Sequence, residues 1–235
     1  MNYFEHYKRV NNLSESGRQS HWGPFERTIG RFLPEAKDVG VIDVGCGAGI
    51  LLEWLSVKGY KNCTGLDRDE GQVAFSRSLG FQAEQVDDTA AALSAYEDMQ
   101  FIIFKDVLEH MPENEVSKVL EAARRALSPG GRIYVSVPNA AASFAPYWRY
   151  NDGTHLRSYT SAVLGLHLEM AGFRVIHVGD DDTLSFSSLM GIGRLLIRTL
   201  FRCVRRIEAI GEFGSDGVRM PLGLNLVVVA ESDGE

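Results

Sequence analysis

Cysteine, positive charge and long apolar runs are all scarce in this chain of 235 residues. Three cysteines, at positions 46, 63 and 203, have no metal-like spacing, which argues against a disulfide framework and favours reduced thiols in a cytoplasmic setting. The formal charge of −7 argues against a nucleic-acid partner, because such proteins normally carry a basic surface. No apolar run is long enough to span a bilayer, and residues 1–10 lack the apolar core of a secretory signal. We therefore expect a cytoplasmic protein without a transmembrane segment.

What the sequence does contain is a regular alternation of short apolar runs and helical patterns. Strands are predicted at 39–44, 62–66, 81–86, 100–105, 131–137, 173–179 and 224–230. Helices are predicted between them at 49–58, 69–79, 113–127 and 160–171. Because strands alternate with helices, the pairing should be parallel with right-handed crossovers. The sequence therefore predicts an α/β fold.

Two further segments lie outside this alternation. Residues 1–38 are rich in aromatic and charged side chains and predict a helical cap, which precedes a main domain of residues 39–235. Residues 181–222 lie between the last two predicted strands and are interpreted as a helical insertion. Insertions at such places tend to carry function or an interface.

A cluster of glycines follows the first predicted strand in the stretch VIDVGCGAGILLEWL. Gly45, Gly47 and Gly49 cost conformational entropy on folding, so the cluster indicates that a ligand approaches the backbone closely. The first turn of the following helix adds unpaired N–H groups at the same corner. Asp43, just before the loop, would suit a ligand that is cationic at that end.

The spacing of the loop separates two classes of nucleotide site. Dinucleotide sites have G-x-G-x-x-G with an acid about 20 residues further on, whereas this loop is G-x-G-x-G. Asp67 does follow the second predicted strand, so a ribose is expected at Asp67 in either class of site.

The segment VIDVGCGAG resembles motif I of the class I S-adenosylmethionine-dependent methyltransferases. The resemblance extends over about residues 35–180, through the further motifs GLDRD, QVDD, FIIFKDVLEHM and LSPGGRIYVSVPN. It implies a Rossmann-like sheet of seven strands, mostly parallel with the last strand antiparallel, and helices on both faces. It also implies S-adenosylmethionine as the cofactor.

The same resemblance implies roles for individual acids. Asp67 would bind both ribose hydroxyls, and Asp87, with Asp88 as a substitute, would contact the adenine amino group. We expect the cap to close over the cofactor, with Arg18 and Arg27 able to reach the carboxylate of its methionine part. The complete expected set is Tyr7, Arg18, Asp43, Gly45, Gly47, Gly49, Asp67, Arg68, Asp87, Asp88 and Lys105.

Methyl transfer from a sulfonium is an in-line displacement, and a hydroxyl acceptor benefits from a general base. His155, in RYNDGTHLRSYT, is the first candidate, because Asp152 could fix its tautomer and raise its basicity. His110 and Asp106, in DVLEHM, are the second candidates. Two alternatives stay open: His155 caps the helix that begins near Thr160, or these acids and histidines bind a divalent metal ion, which no tight ligand spacing demands.

The D-G-T-H segment also bears on the acceptor. Followed by Tyr159 and Thr160, it resembles methyltransferases encoded with bacterial surface-polysaccharide pathways, which often have an acid where this chain has Leu156. The resemblance implies O-methylation of a saccharide hydroxyl. The alternatives are methylation of a quinone precursor or another small metabolite, and a catalytically silent module that only binds the cofactor.

The insertion contains an amphipathic pattern at 189–210. One helical face carries Arg194, Arg198, Arg202 and Arg205, and the other carries Leu196, Ile197, Leu200, Val204 and Ile207. The pattern predicts either a lid helix packed on the sheet or on a partner subunit, or a contact with a membrane surface or an anionic substrate.

Overall fold

A computed structural model describes residues 3–181 and 189–233. Its single sheet has seven strands in the order β3-β2-β1-β4-β5-β7-β6. The strands are β1 (Gly40–Val44), β2 (Asn62–Asp67), β3 (Gln82–Gln85), β4 (Met99–Lys105), β5 (Leu127–Pro138), β6 (Phe173–Asp180) and β7 (Asn225–Ser232). Strands β1 to β5 pair in parallel, and β7 is antiparallel to both of its neighbours. The expected Rossmann-like architecture is confirmed.

The helices of the described residues connect these strands and form the cap and the insertion. They are α1 (Tyr3–Val10), α2 (Glu15–Gln19), α3 (Trp22–Thr28), α4 (Ile50–Val57), α5 (Glu70–Ser78), α6 (Thr89–Leu93), α7 (Glu113–Ala126), α8 (Ala145–Tyr150), α9 (Ser161–Met170), α10 (Leu189–Phe213) and α11 (Ser215–Arg219). Short 3-10 turns lie at Gly30–Phe32 and Leu108–His110. None of the helices described is long and apolar enough to cross a membrane.

Burial along the central strands explains their continuous apolar character. Phe101 to Phe104 of β4 are all inaccessible to solvent, because helices cover both faces of a parallel sheet. Alternate side chains point to opposite faces, so Ile102 joins one core cluster and Phe101 the other.

The cap packs on the helices that flank the first strands. Phe4 of α1 stacks near Phe75 of α5 with 5.8 Å between ring centroids, and Phe25 of α3 meets Trp54 of α4 at 5.7 Å. These contacts place the cap beside the turn between β1 and α4.

The structure departs from the sequence prediction mainly at short elements. The helices α6 and α8 have five and six residues, which is too short for a helical period to show in the sequence. Strand β5 begins at Leu127, four residues before the predicted start, because pairing with β4 already begins there. The predicted helical insertion contains α10 and α11, and its residues 182–188 lie outside the described ones.

Candidate active site

A cavity of about 690 Å³ lies beyond the carboxyl ends of β1, β2 and β4. Its wall includes nine of the expected residues: Tyr7, Asp43, Gly45, Gly47, Asp67, Arg68, Lys105, Asp106 and His110. Open α/β sheets bind ligands at the point where the strand order reverses, which here is between β1 and β4. Among the described residues, the wall does not include Arg18, Gly49, Asp87, Asp88, Asp152 or His155.

The glycine loop needs glycine for its own backbone conformation and packing as well as for the approach of a ligand. Gly45, Gly47 and Gly49 have φ angles of 73°, 53° and 77°, in the left-handed region that side chains rarely adopt. A Cβ atom at Gly45 would lie 2.4 Å from a methyl carbon of Val107, and one at Gly49 would lie 2.3 Å from the hydroxyl of Ser76. Packing within the protein therefore requires glycine here, in addition to the ligand approach that the sequence suggested.

Asp43 is the most deeply buried acid in the cavity wall, with 3% of its surface exposed. Burial raises its pKa to about 8, the charge of Asp67 adds to this effect, and the charge of Lys105 opposes it. Near neutral pH the side chain is therefore largely protonated. A cation placed beside it would favour the charged form.

Asp67 ends β2 and is held by two backbone N–H groups. Its Oδ2 accepts from the amide of Gly47 at 2.8 Å, and its Oδ1 accepts from the amide of Asp69 at 2.8 Å. Burial raises the pKa of Asp67, and these bonds work against that rise. Each carboxylate oxygen keeps a second lone pair, so the group can still accept from two hydroxyls. The neighbouring Arg68 donates to Glu115 at 2.7 Å while it lines the cavity.

The two acids after β3 lie outside the cavity wall. Asp87 is exposed and accepts from the side-chain amide of Gln85 at 3.1 Å, so its expected contact with adenine stays a prediction. Asp88 is the N-cap of α6 and accepts from the amide of Ala91 at 2.9 Å. The side chain that the structure does place in the wall is the buried Thr89, which sequence reasoning missed.

The structure places Arg18 outside the cavity wall, in an ion pair with Glu53. Its Nε and Nη2 atoms donate to the two carboxylate oxygens of Glu53 at 2.8 and 3.0 Å, and Nη1 donates to the carbonyl of Leu13 at 2.7 Å. This bidentate ion pair ties the cap to α4 and raises the pKa of Arg18. In this arrangement the guanidinium of Arg18 is engaged by Glu53 and Leu13, so its expected contact with the carboxylate of the cofactor stays a prediction. Cap residues that do reach the cavity are Tyr7, His21 and Phe25.

The Arg18–Glu53 pair gives a first testable prediction. Arg18→Ala should lower the free energy of unfolding by about 1–3 kcal/mol, because it leaves a mostly buried carboxylate without its partner. Glu53→Ala should cost a similar amount, and the double variant should cost clearly less than the sum of the two. Denaturant titration measures all three values. Lys58→Ala, which breaks an exposed pair with Glu26, is the matched control and should change stability little. Strictly additive effects would contradict the pairing.

The end of β4 carries a strained, charged pair. Asp106 has a φ of 57°, an unusual conformation for a residue other than glycine. Its amide donates to the carbonyl of Ser136, and its carboxylate accepts from the side-chain amide of Asn225 at 3.1 Å and from the ammonium of Lys105. Burial acts to lower the pKa of Lys105, but Asp106 and Asp181 raise it above its ordinary value. Lys105 therefore remains charged in the cavity wall.

A hydrogen-bond chain connects Asp152 to His110 through Thr154. The Thr154 hydroxyl donates to Oδ1 of Asp152 at 2.6 Å and lies 2.9 Å from Nδ1 of His110. Because a hydroxyl has one hydrogen, which goes to Asp152, its oxygen must accept from an Nδ1–H of His110. His110 is then held as the tautomer whose Nε2 is unprotonated. Burial lowers the pKa of His110, and His155 lowers it further, so the ring stays neutral near pH 7.

Next to His110 in the sequence, Glu109 is a buried carboxyl group outside the cavity wall. Glu109 is 0% exposed, and neither of its carboxylate oxygens is bonded among the described residues. Burial raises its pKa well above the usual range, and the charge of Asp106 raises it further. Nε2 of His155 lies 4.0 Å from Glu109, and the His110 and His155 rings meet edge to face with centroids 4.7 Å apart.

These three side chains could hold a metal ion, although with a different ligand set from the one considered from sequence. One ligand atom from each of Glu109, His110 and His155 lies within 4.8 Å of the others. Two imidazoles and a carboxylate suit a divalent transition metal. Asp152, which the sequence placed in this set, is instead bonded to Thr154.

The structure places the two histidines differently with respect to the cavity. His110 lines the cavity wall, whereas His155 does not, and the carboxylate of Asp152 bonds to Thr154 instead of the His155 ring. The helix cap considered for His155 belongs to Thr160, whose hydroxyl accepts from the amide of Val163 at 3.3 Å. Within the D-G-T-H segment it is Thr154 that lines the cavity and contacts His110, which sequence reasoning did not single out.

Comparison with known proteins shows the family of this chain. A family model described as a methyltransferase domain matches residues 18–178, which is more than half of the chain. The chain belongs to the methyltransferase domain family. The match begins in the cap and ends within β6, so it includes the whole cavity wall except Tyr7 and excludes α10. The expected enzyme class, a methyltransferase that depends on S-adenosylmethionine, is confirmed.

Curated relatives of this methyltransferase include the ubiquinone biosynthesis O-methyltransferases of Pseudomonas putida and Stutzerimonas stutzeri. They are 36% and 31% identical to it over 105 residues, which are 42% of this chain and 44% of those proteins. The chain therefore spans less than half the length of the curated relatives it matches.

Solved structures share the fold over almost the entire chain. A methyltransferase from Archaeoglobus fulgidus has a TM-score of 0.68 at 20% identity and covers 98% of this chain and 100% of its own. A TehB-like methyltransferase from Corynebacterium glutamicum has a TM-score of 0.60 at 17% identity and covers 97% of both chains.

Proposed function

We propose that this methyltransferase transfers a methyl group to a hydroxyl oxygen of a small acceptor, with His110 as the general base. The observation that carries the proposal is the Asp152–Thr154–His110 chain, which ends at the cavity wall with an unprotonated Nε2. A base in this position removes the hydroxyl proton as the oxygen attacks the methyl carbon. The sulfonium of the bound cofactor supplies an already activated methyl group.

The cofactor is assigned to the walls around the glycine loop. Asp67 is placed to accept from two ribose hydroxyls, and Asp43 to face the cationic amino end of the methionine part. The adenine lies toward Asp87 and Thr89 in this assignment. Tyr7, from the cap, closes over the cofactor and excludes water from the reacting atoms.

For the acceptor, a hydroxylated aromatic ring fits better than a saccharide. The pKa of His110 is lowered, so the ring is a weak base, and a phenolic hydroxyl, with a pKa near 10, needs less help than an alcohol. Phe25 and Met111 add apolar surface to the same cavity. The curated relatives, named for ubiquinone biosynthesis, agree with an aromatic acceptor. The saccharide hydroxyl remains the second candidate, supported by the resemblance of the D-G-T-H segment alone.

The acceptor class is tested by incubating the protein with S-adenosylmethionine and two matched panels, one of catechols and one of sugars and nucleotide sugars. We expect products heavier by one CH₂ from the catechols, detected by mass spectrometry together with S-adenosylhomocysteine. His110→Ala is the control that should bind the cofactor and form little product. Products from sugars alone would support the second candidate. Cofactor binding without any product would favour a silent module.

A further inference from the structure

Helix α10 exposes most of its apolar side chains. At 25 residues it is about 37 Å long. The exposed apolar residues are Met190, Ile192, Leu196, Ile197, Leu200, Phe201, Val204, Ile207, Ile210 and Phe213. Such a contiguous apolar surface on a globular protein marks a site of interaction.

The opposite side of α10 faces the protein. Arg202 pairs with Asp180 at 3.2 Å, and Arg205 donates to the carbonyl of Ala141 at 3.2 Å. Ala209 is buried on the same side. The sequence prediction of two faces is therefore correct, but the apolar face does not pack on the sheet.

The width of the apolar surface distinguishes between two occupants. At 3.6 residues per turn, the exposed apolar side chains cover roughly half of the helix circumference. A second copy of this helix in a coiled coil would need a much narrower stripe. A broad apolar arc opposite an arginine-rich face is the pattern of helices that lie in the plane of a membrane interface.

Charge favours the same occupant. The helix has five arginines and two glutamates, a net charge of +3, on a chain whose formal charge is −7. A cationic segment on an acidic protein is attracted to anionic lipid headgroups, while the rest of the chain is repelled. Crossing the bilayer is excluded for α10, because none of the described helices is apolar enough.

We propose that α10 docks the protein on an anionic phospholipid surface, with its apolar arc in the acyl boundary and the exposed Arg194, at the edge of that arc, at the level of the headgroups. This inference does not depend on the acceptor. The test is flotation of the full chain with vesicles of phosphatidylcholine alone or mixed with phosphatidylglycerol. We expect at least about tenfold more protein to float with the anionic vesicles, and salt to reduce this binding.

The decisive variant is Leu196→Glu combined with Leu200→Glu. Both side chains are 65% exposed, so the fold should be retained, and flotation should be lost. Met170→Glu is the matched control, because Met170 is an apolar residue 75% exposed on α9, and it should float normally. Circular dichroism and methyl transfer to a water-soluble acceptor check that both variants are intact. The proposal would be overturned if the double variant floated as well as the parent protein. It would also be overturned if the parent protein did not float and instead formed a concentration-dependent dimer that the double variant abolishes.

Discussion

Replacing His110 with alanine should lower turnover by about 10²–10⁴-fold and leave cofactor affinity nearly unchanged. The ring lies in the cavity wall, and its Nε2 is the nitrogen that the Asp152–Thr154 chain leaves unprotonated. Thr154→Val should lower turnover by about tenfold, because the imidazole remains but its tautomer is no longer selected. Single-turnover kinetics measures the chemical step, and calorimetry measures the affinity.

The pH profile tests the same assignment. Burial lowers the pKa of His110, so the neutral base should persist below its ordinary pKa of about 6.5, and activity should fall only at lower pH. His155 lowers the pKa of His110 further. His155→Gln should therefore raise the pKa of His110 and move the acidic limb of the activity profile to higher pH. His167→Ala, outside the cavity wall, is the matched control and should leave the profile in place. Turnover within twofold of the parent in His110→Ala would remove this residue from the mechanism.

The second large effect concerns Asp43→Asn, which should stabilise the unliganded protein at alkaline pH while it weakens cofactor binding. The pKa of Asp43 is raised from 3.8 to about 8 by burial and by Asp67. A raised pKa means that the folded state binds the proton more tightly than the unfolded state, so stability falls as pH rises from 3.8 to about 8 and is lost in full above about 8. At pH 9 the variant should therefore be more stable by roughly 3–5 kcal/mol, and below pH 4 the difference should vanish.

Denaturant titrations across that pH range measure the stability of Asp43→Asn. Asp38→Asn, on the exposed surface before β1, is the matched control and should change little. Binding of a cationic ligand should release a proton from the parent protein at pH 7, which calorimetry in buffers of different ionisation enthalpy detects. Absence of that proton release, together with an unchanged affinity in the variant, would contradict the assignment of Asp43.

The strands and the cavity could be predicted from the sequence because both depend on local patterns. Apolar runs report burial, and glycines or acids at successive strand ends must converge at one edge of a parallel sheet. Pairing between distant side chains leaves no such pattern. Arg18 and Glu53 are 35 positions apart, so nothing in the sequence indicated that the carboxylate of Glu53 would bind the guanidinium of Arg18.

The same limitation explains why the contacts of the two histidines differ from those expected. Asp152 and His155 are three positions apart and were expected to pair directly. The turn between them instead brings the hydroxyl of Thr154 to Asp152 and directs the network to His110, 44 positions away from Thr154. His110 ends the 3-10 turn at Leu108–His110, and such a turn is too short to have a sequence period.

Strands β6 and β7 are antiparallel neighbours, so a hairpin of a few residues would be enough to join them. The chain uses 44 residues between Asp180 and Asn225 instead. The entropy of closing a loop grows only with the logarithm of its length, and each doubling costs about 0.6 kcal/mol. Beyond Asp181, whose charge acts on Lys105, no described residue of this junction lines the cavity, so segments can be exchanged there at little thermodynamic cost. The surface that α10 presents can therefore change while the cavity wall stays the same.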